Sequence, residues 1–452
     1  MTTDLDIAKL DGLPVLVVGL GKSGQAAARF LAERGAKVTA NDSRDAVDGA
    51  EALEAAGVTL ALGGHDEAAF TGAELIVLSP GVPPLPELAA AEQAGVPIWS
   101  EVELASRFLK GTLVAITGTN GKSTVTSWIA AMGEAAGMAT FAGGNLGTPL
   151  IDAVGTEAGE RGLIVAEVSS FQLERVDRLR PKVAVLLNIS EDHLDRYESY
   201  ADYAAAKGNI FLGQRRGDHA VVPSDDEVCL GLARAGHASV HTFGPGGELR
   251  IESGTVRDAE SGLEVPVESL ALVGGPNELN ACAAALAARL AGLPTDAIRA
   301  ALVDFRGLAH RMERVGAIDG VELYDDSKAT NVGAAVAAIR GFAGGPSKVV
   351  LIAGGKDKGG SYAPLREALR ETGRGVVLIG EAADTIEEAL ASVVAVLRRQ
   401  TMAEALAAAL ELAEEGDAVL LAPACSSFDM YGSYAERGDD FQRAARELGA
   451  VR

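Results

Sequence analysis

Short apolar runs alternate with alanine-rich helical stretches along nearly the whole chain. The runs at 14-PVLVVG, 37-KVTAND, 75-LIVLSP, 112-TLVAITG, 163-LIVAEVSS, 182-KVAVLLNIS, 321-VELYDDS, 348-KVVLIAGG, 375-GVVLIG and 418-AVLLAPA predict strands. Most are continuously apolar, with no inside–outside alternation, the mark of strands buried on both faces in parallel sheets covered by helices. Helices are expected at 100-SEVELASRFLK and 296-DAIRAALVDF, and 244-GPGGELRIESGTVRDAESGLEV predicts a small β excursion with hairpin turns. A fresh strand–loop–helix unit begins at 112. The expected fold is therefore α/β in three domains, at 1–102, 103–308 and 309–452.

Length supports that division, because 452 residues exceed one ordinary core. A hydrophobic content of 48% with 23% charged residues is globular. The net charge of −23 argues against a nucleic-acid partner, which needs a basic face. Small anions remain compatible, since backbone amides and a few lysines suffice for them. The three cysteines, Cys229, Cys282 and Cys425, lack C-x-x-C spacing and suggest reduced thiols. The acidic start MTTDLDIAKLDG is no signal peptide, and no uncharged apolar run approaches the ~18 residues that span a bilayer. The expectation is a soluble cytoplasmic protein with no membrane insertion.

Two loops carry candidate chemistry. Gly19-Leu20-Gly21-Lys22-Ser23-Gly24 fits G-x-G-x-x-G between a strand and a helix, with Asp42 ending the next strand. It could hold the pyrophosphate of a dinucleotide or of a UDP-sugar, or be a tight turn that binds nothing. In the second loop, Gly118-Thr119-Asn120-Gly121-Lys122-Ser123-Thr124, amides and Lys122 suit ATP phosphates, and Ser123 or Thr124 suits Mg²⁺. Ile116 stands where the usual phosphate loop has its first glycine. An oxidoreductase has no use for this second loop and a simple ATPase none for the first. An enzyme that spends ATP on a nucleotide-linked substrate needs both.

Strand ends add further candidates. Glu167 can reach a Mg²⁺, His193 follows a buried strand, and Lys207 falls on a helix. Singly, each has a plain alternative: a helix-cap partner, a loop histidine, a solvated lysine. The stretches 324-YDDSKATN, 354-GGKDKGG and 423-PACSSFDMYGSY place acids, lysines and hydroxyls at further strand mouths.

Taken in order, LGKSG, SPGV (79–82), GTNGKST, GGNLG (143–147), EVSSFQL (167–173), NISEDHLDRY (188–197), YAAAK (203–207), HRMERV (310–315), DDSKATN (325–331) and PACSSFD (423–429) resemble the Mur ligases of bacterial cell-wall synthesis over essentially the whole chain. SPGV, DDSKATN and PACSSFD point to the D-glutamate-adding branch. The resemblance implies a Rossmann-like UDP-binding first domain, a P-loop-type ATPase with a mostly parallel sheet in the centre, and a Rossmann-like third domain for the incoming amino acid. It implies a monomeric ATP-dependent ligase that joins D-glutamate to UDP-N-acetylmuramoyl-L-alanine through an acyl phosphate and releases ADP and phosphate.

By the same resemblance, Gly118, Thr119, Asn120, Gly121, Lys122, Ser123 and Thr124 hold the ATP phosphates. Asn277 reaches the adenine, Arg311 the phosphates and Asp326 the ribose, while Lys328 lies near the transferring group. Ser123 and Glu167 serve one Mg²⁺; His193 and Lys207 serve a second, Lys207 as a CO₂-derived carbamate. Gly21, Lys22, Ser23, Asp42, Ser43, Arg44 and Gly81 hold the uridine diphosphate, and Asn145 and His193 reach toward the same substrate. Thr330, Lys358, Ser427 and Tyr434 receive D-glutamate. Lys356 stands where relatives carry aspartate, and Tyr434 where phenylalanine is familiar.

Overall fold

The computed structural model describes residues 10–193, 196–270, 272, 275–305, 307–342, 347–357 and 361–451. Its first sheet contains β1 (Pro14–Val18), β2 (Lys37–Asp42), β3 (Thr59–Leu62), β4 (Leu75–Leu78) and β5 (Ile98–Ser100). Their order is β3-β2-β1-β4-β5, all parallel. The second sheet contains β6 (Thr112–Thr117), β7 (Thr140–Gly144), β8 (Leu163–Glu167), β9 (Val183–Leu186), β10 (His219–Pro223) and β11 (Ser239–Phe243). It continues into β12 (Leu249–Glu252), β13 (Thr255–Asp258) and β14 (Leu263–Pro266), with the order β14-β13-β12-β11-β10-β9-β6-β8-β7. Only the β12–β13–β14 meander, the expected β excursion, is antiparallel. The third sheet contains β15 (Glu313–Ile318), β16 (Val321–Asp325), β17 (Val349–Gly354), β18 (Gly373–Ile379), β19 (Ala395–Arg398) and β20 (Ala418–Leu421). Its order is β15-β16-β20-β17-β18-β19, parallel except for the β15–β16 pair.

The continuous apolar runs behave as their composition requires. Every residue of β4, β8, β9, β17 and β20 is buried, because helices cover both faces of each sheet. The architecture is therefore α/β with mostly parallel sheets, as the periodicity predicts. Strands β6 and β8 are parallel neighbours in the second sheet, so the loops that follow them open side by side at its carboxyl edge.

Two acids join the first sheet to the second. Glu103 is fully buried, and its carboxylate accepts the backbone N–H groups of Asp177, Arg178 and Leu179 at 2.9–3.1 Å. Arg107 Nε closes the set at 2.7 Å. Such a charge is tolerable because every donor around it is aimed inward. Glu101, also buried, accepts the Ile151 N–H at 2.6 Å on one oxygen, while its Oε2 meets no donor among the described residues. Burial pushes this carboxyl from its ordinary 4.5 up to about 7, with the Ile151 N–H pulling the other way.

A carboxyl raised in the folded state binds its proton more tightly there than in the unfolded chain. Its stabilising effect is complete below the unfolded value and fades as pH climbs toward 7. Glu101→Gln, which cannot ionise, should remove that fade. The melting-temperature difference between Glu101→Gln and wild type should be clearly more favourable to the variant at pH 8 than at pH 5. An equal difference at both pH values would refute the assignment.

Candidate active site

Strand β6 delivers its chain into the loop Gly118–Gly121, and the helix Lys122–Ala135 follows. Gly121 caps that helix at φ 84°, and a Cβ there would lie 2.4 Å from Asn280 Oδ1, so a side chain is excluded twice over. The end of β9 clamps the loop: Asn188 Oδ1 accepts the Asn120 N–H at 2.9 Å, and Asn188 Nδ2 donates to Asn120 O at 3.1 Å. Thr119 Oγ1 donates to Ser190 O at 3.2 Å. Lys122 Nζ donates to Gly118 O and Thr119 O, each at 2.9 Å. With a helix start facing it and a lysine folded over the loop, this segment has the form of an anion cradle.

Beside it, β8 ends in Glu167, which is 2% exposed. The turn after it is fixed by a capping box in which Ser169 and Gln172 bond reciprocally, so Glu167 is spared that task. Its carboxylate accepts the Ser123 hydroxyl on one oxygen and Asn145 Nδ2, at 2.6 Å, on the other. Arg311 Nη2 donates to Ser123 Oγ at 2.5 Å, bringing a side chain from the start of the third sheet onto the first turn of the phosphate-loop helix.

Lys207 lies on the helix Tyr200–Gly208, which Ser199 caps. Far from solvated, it is 2% exposed. Its Nζ donates to the same Gly118 carbonyl at 2.9 Å and sits 4.6 Å from the Tyr203 ring centroid. Burial, then the neighbouring Lys122 charge, drives its pKa well below the ordinary lysine value, while Asp192 and Glu167 oppose the shift. The shift favours the uncharged amine, which is held against the phosphate loop. His193 adopts φ 56°, with its Nε2 3.7 Å from Asp192 Oδ2 and its ring 4.8 Å from that of Phe171. Asp192 Oδ2 also accepts Asn331 Nδ2 at 3.0 Å, a second link to the third sheet.

The segment carrying Arg311 is held by its neighbour. His310 Nδ1 pairs with Asp325 Oδ2 at 2.7 Å, and Asp325 raises the His310 pKa. Gln442 Nε2 donates to Asp325 Oδ2 and to Glu313 Oε2 at 2.9 and 3.0 Å. Ligand atoms of His310, Glu313 and Asp325 lie within 4.8 Å of one another, but the Gln442 amide and the His310 N–H already occupy them. The group is a structural knot that orients Arg311. Burial pushes the Asp326 carboxyl up to about 7, against the pull of Arg311. Lys328 Nζ stands 4.2 Å from the Tyr434 ring centroid.

One cavity of about 400 Å³ gathers most of the candidates. From the phosphate loop it takes Thr119, Asn120, Gly121, Lys122, Ser123 and Thr124, with Gly118 just behind. Asn145, Glu167, His193, Lys207 and Asn277 complete its central-sheet wall. Arg311, Asp326, Lys328 and Thr330 close it from the third sheet. Ser427 and Tyr434 stand outside its lining, Tyr434 touching it only through Lys328. Lys358 lies outside the described residues.

The diphosphate candidates occupy a separate place, the carboxyl edge of the first sheet. Lys22, Ser23 and the helix Lys22–Ala32 follow Gly21 as the glycine pattern requires: a Cβ on Gly24 would lie 1.9 Å from Gly19 O. Asp42 accepts the Leu20 N–H at 2.7 Å and the Arg44 guanidinium in a two-pronged pair, which holds its carboxyl well below the usual range. Ser43 and Gly81 are exposed there. Sequence reasoning missed Asn188, Asp192, Tyr203, Asn280 and Asn331, all of them in or beside the cavity. Asn188, Asp192 and Asn331 follow strands, so strand-end position could have flagged them; Tyr203 and Asn280 lie on helices, where no local signal marks them.

Three family models match the chain: Mur ligase MurD-like, N-terminal domain, at residues 14–100; Mur ligase middle domain, at 116–288; and Mur ligase, glutamate ligase domain, at 310–425. The UDP-N-acetylmuramoylalanine–D-glutamate ligase of Myxococcus xanthus is 46% identical, covering 97% of this chain and 99% of its own. Its counterpart in Pelobacter propionicus is 47% identical, covering 97% and 100%. Among solved structures, the MurF ligase of Thermotoga maritima in complex with ADP superposes with a TM-score of 0.63 at 18% identity, covering 98% of this chain and 97% of its own, a likeness of fold. With the cavity assembled from the segments these models span, and with near-full-length relatives at this identity, the chain belongs to the Mur ligase family.

Proposed function

We propose that this protein is an ATP-dependent amide ligase that adds D-glutamate to UDP-N-acetylmuramoyl-L-alanine, a step of peptidoglycan precursor synthesis. The observation that carries the reading is the cavity in which an anion-cradling loop, a buried carboxylate, a buried lysine and an arginine from the third sheet meet. The names of the near-full-length relatives support the choice of substrates. Three separate sheets support a division into domains at 1–102, 103–308 and 309–452. Three buried free thiols support a reducing, cytoplasmic setting. Among the described residues no helix is long and apolar enough to cross a membrane.

A carboxylate does not acylate an amine near neutral pH, so the alanyl carboxylate must first gain a leaving group. Its oxygen attacks the γ-phosphorus of ATP, the bond to the ADP oxygen breaks, and an acyl phosphate forms. The D-glutamate amine then attacks the acyl carbon, loses its proton and expels phosphate. Positioning and charge neutralisation carry such a reaction. Lys122 and the loop amides hold the β- and γ-phosphates, and Arg311 adds charge from the opposite wall. Asn277 and Asp326 take the adenine and ribose, and Asn145 lies between ATP and the muramoyl substrate. Lys328 stands by the transferring group. The first-sheet loop, with Asp42 and Arg44, takes the uridine diphosphate; Thr330, Lys358, Ser427 and Tyr434 take D-glutamate.

Two Mg²⁺ ions fit the donor set: Ser123 and Glu167 offer oxygens for one, His193 and Lys207 a site for the other. When bound, they neutralise phosphate charge. Lys207 suits that task only if it is made anionic. Burial favours its uncharged amine, the form that adds CO₂, and a carbamate would place an anion beside Lys122, which shares the Gly118 carbonyl with it.

Phosphate release from ATP with the UDP precursor should require D-glutamate and fail with L-glutamate, L-alanine or a diamino acid. Release with one of those instead would move the enzyme to another step. Lys207→Met should reduce turnover at least about a hundredfold, as loss of a metal-site group does. With ¹³C-bicarbonate, wild type should show a carbamate resonance that Lys207→Met lacks; no resonance in wild type would remove the carbamate.

A further inference from the structure

The helix Tyr434–Glu447 buries one arginine in its first turns, away from the cavity lining. Arg437 is 1% exposed, among the largest fully buried side chains in the molecule. The acceptors it meets are neutral oxygens: Nε donates to Ser327 Oγ at 3.0 Å, and Nη2 to Ser327 O at 2.9 Å and Cys425 O at 3.2 Å. Nη1 donates to Cys425 O and Ser426 O, both at 3.3 Å. Nothing here is surface chemistry. A buried guanidinium whose fork is spent on loop carbonyls is a brace.

What it braces is the carboxyl edge of the third sheet. Ser327 follows β16, and Cys425 and Ser426 follow β20, the adjacent strand. The loop after β17 joins as well: Lys356 and Ser426 exchange backbone hydrogen bonds at 2.9 and 3.1 Å, and a Cβ on Gly355 would lie 3.1 Å from Arg437 Nη1. Ser327 Oγ in turn donates to Tyr434 O at 2.7 Å, tying the helix start into the same cluster. Thr330, Ser427 and Tyr434 stand on the three segments held this way.

We infer that Arg437 is a positioning residue for the incoming amino acid, setting the mutual placement of the β16 and β20 loops and the first turn of the last helix. This rests on the proposed D-glutamate site. The ATP side depends on it less, because other contacts hold the β16 end there: Asp326 N–H bonds Leu421 O at 2.8 Å, and Asp325 is pinned by His310 and Gln442. Among the described residues the Cys425 carbonyl accepts hydrogen bonds only from Arg437. Lysine cannot substitute, since its three donors diverge from one point where the fork reaches three carbonyls and a hydroxyl.

The test is steady-state kinetics of wild type, Arg437→Lys and Ser327→Ala, varying each of the three substrates in turn. Arg437→Lys should raise KM for D-glutamate about tenfold or more, the worth of one or two charge-assisted hydrogen bonds. KM for ATP and for the UDP precursor should change less than about threefold, as their contacts lie elsewhere. Ser327→Ala, which removes one acceptor and keeps the backbone, should show the same selectivity at smaller size; it decides the matter if Arg437→Lys does not fold. An unchanged KM for D-glutamate in the folded variants, or a parallel rise of all three constants, overturns the inference. Wild type that turns over without depending on D-glutamate overturns the functional reading first, and this inference with it.

Discussion

The Ser123 hydroxyl is the point on which the site turns. It donates to the buried Glu167 carboxylate and accepts from the Arg311 guanidinium, so one small side chain links β6, β8 and the third sheet. Asn145 holds the other Glu167 oxygen, which brings in the end of β7. Asp192 and Asn331 add a second bond across the same gap. A phosphate loop alone binds nucleotide; it gains an acceptor-activating wall only when the Arg311 edge is placed against it. Closure that assembles a site from two bodies is a general way to keep ATP from being spent on water.

Electrostatics set the second constraint. The chain carries a net charge of −23, yet the cavity concentrates Lys122, Lys207, Arg311 and Lys328. Two of these lysines share one carbonyl oxygen, and only one can remain charged at low cost in so buried a place. Lys122 keeps partial access to solvent and Lys207 loses it, so burial disfavours the charge on Lys207. The geometry thereby makes a lysine available for chemistry that a surface lysine cannot do.

How much of this is legible in the sequence depends on range. Continuous apolar runs such as LIVAE and VVLIAG announce buried parallel strands, and glycine loops between strand and helix announce anion cradles. Short or mixed strands do not: IWS and TFAGG, and the half-exposed AVLR, carry too few apolar residues for a pattern. Side chains whose role comes from distant partners are also hidden. Lys207 alone looks like a solvated helix lysine, because nothing local says that Gly118, 89 residues away, supplies its partner. Arg437 looks like one more charge on an amphipathic helix, yet its partners are 11 to 110 residues away. Asp192 and Asn331 are paired across 139 residues, a distance no local pattern spans.

The central claim is that this cavity transfers a phosphoryl group to a carboxylate. It is tested most directly with UDP-N-acetylmuramoyl-L-alanine carrying ¹⁸O in the alanyl carboxylate. During turnover with ATP and D-glutamate, each released phosphate should acquire one ¹⁸O from that carboxylate. Unlabelled phosphate, with the oxygen lost from the carboxylate found in water or in AMP, would contradict the account.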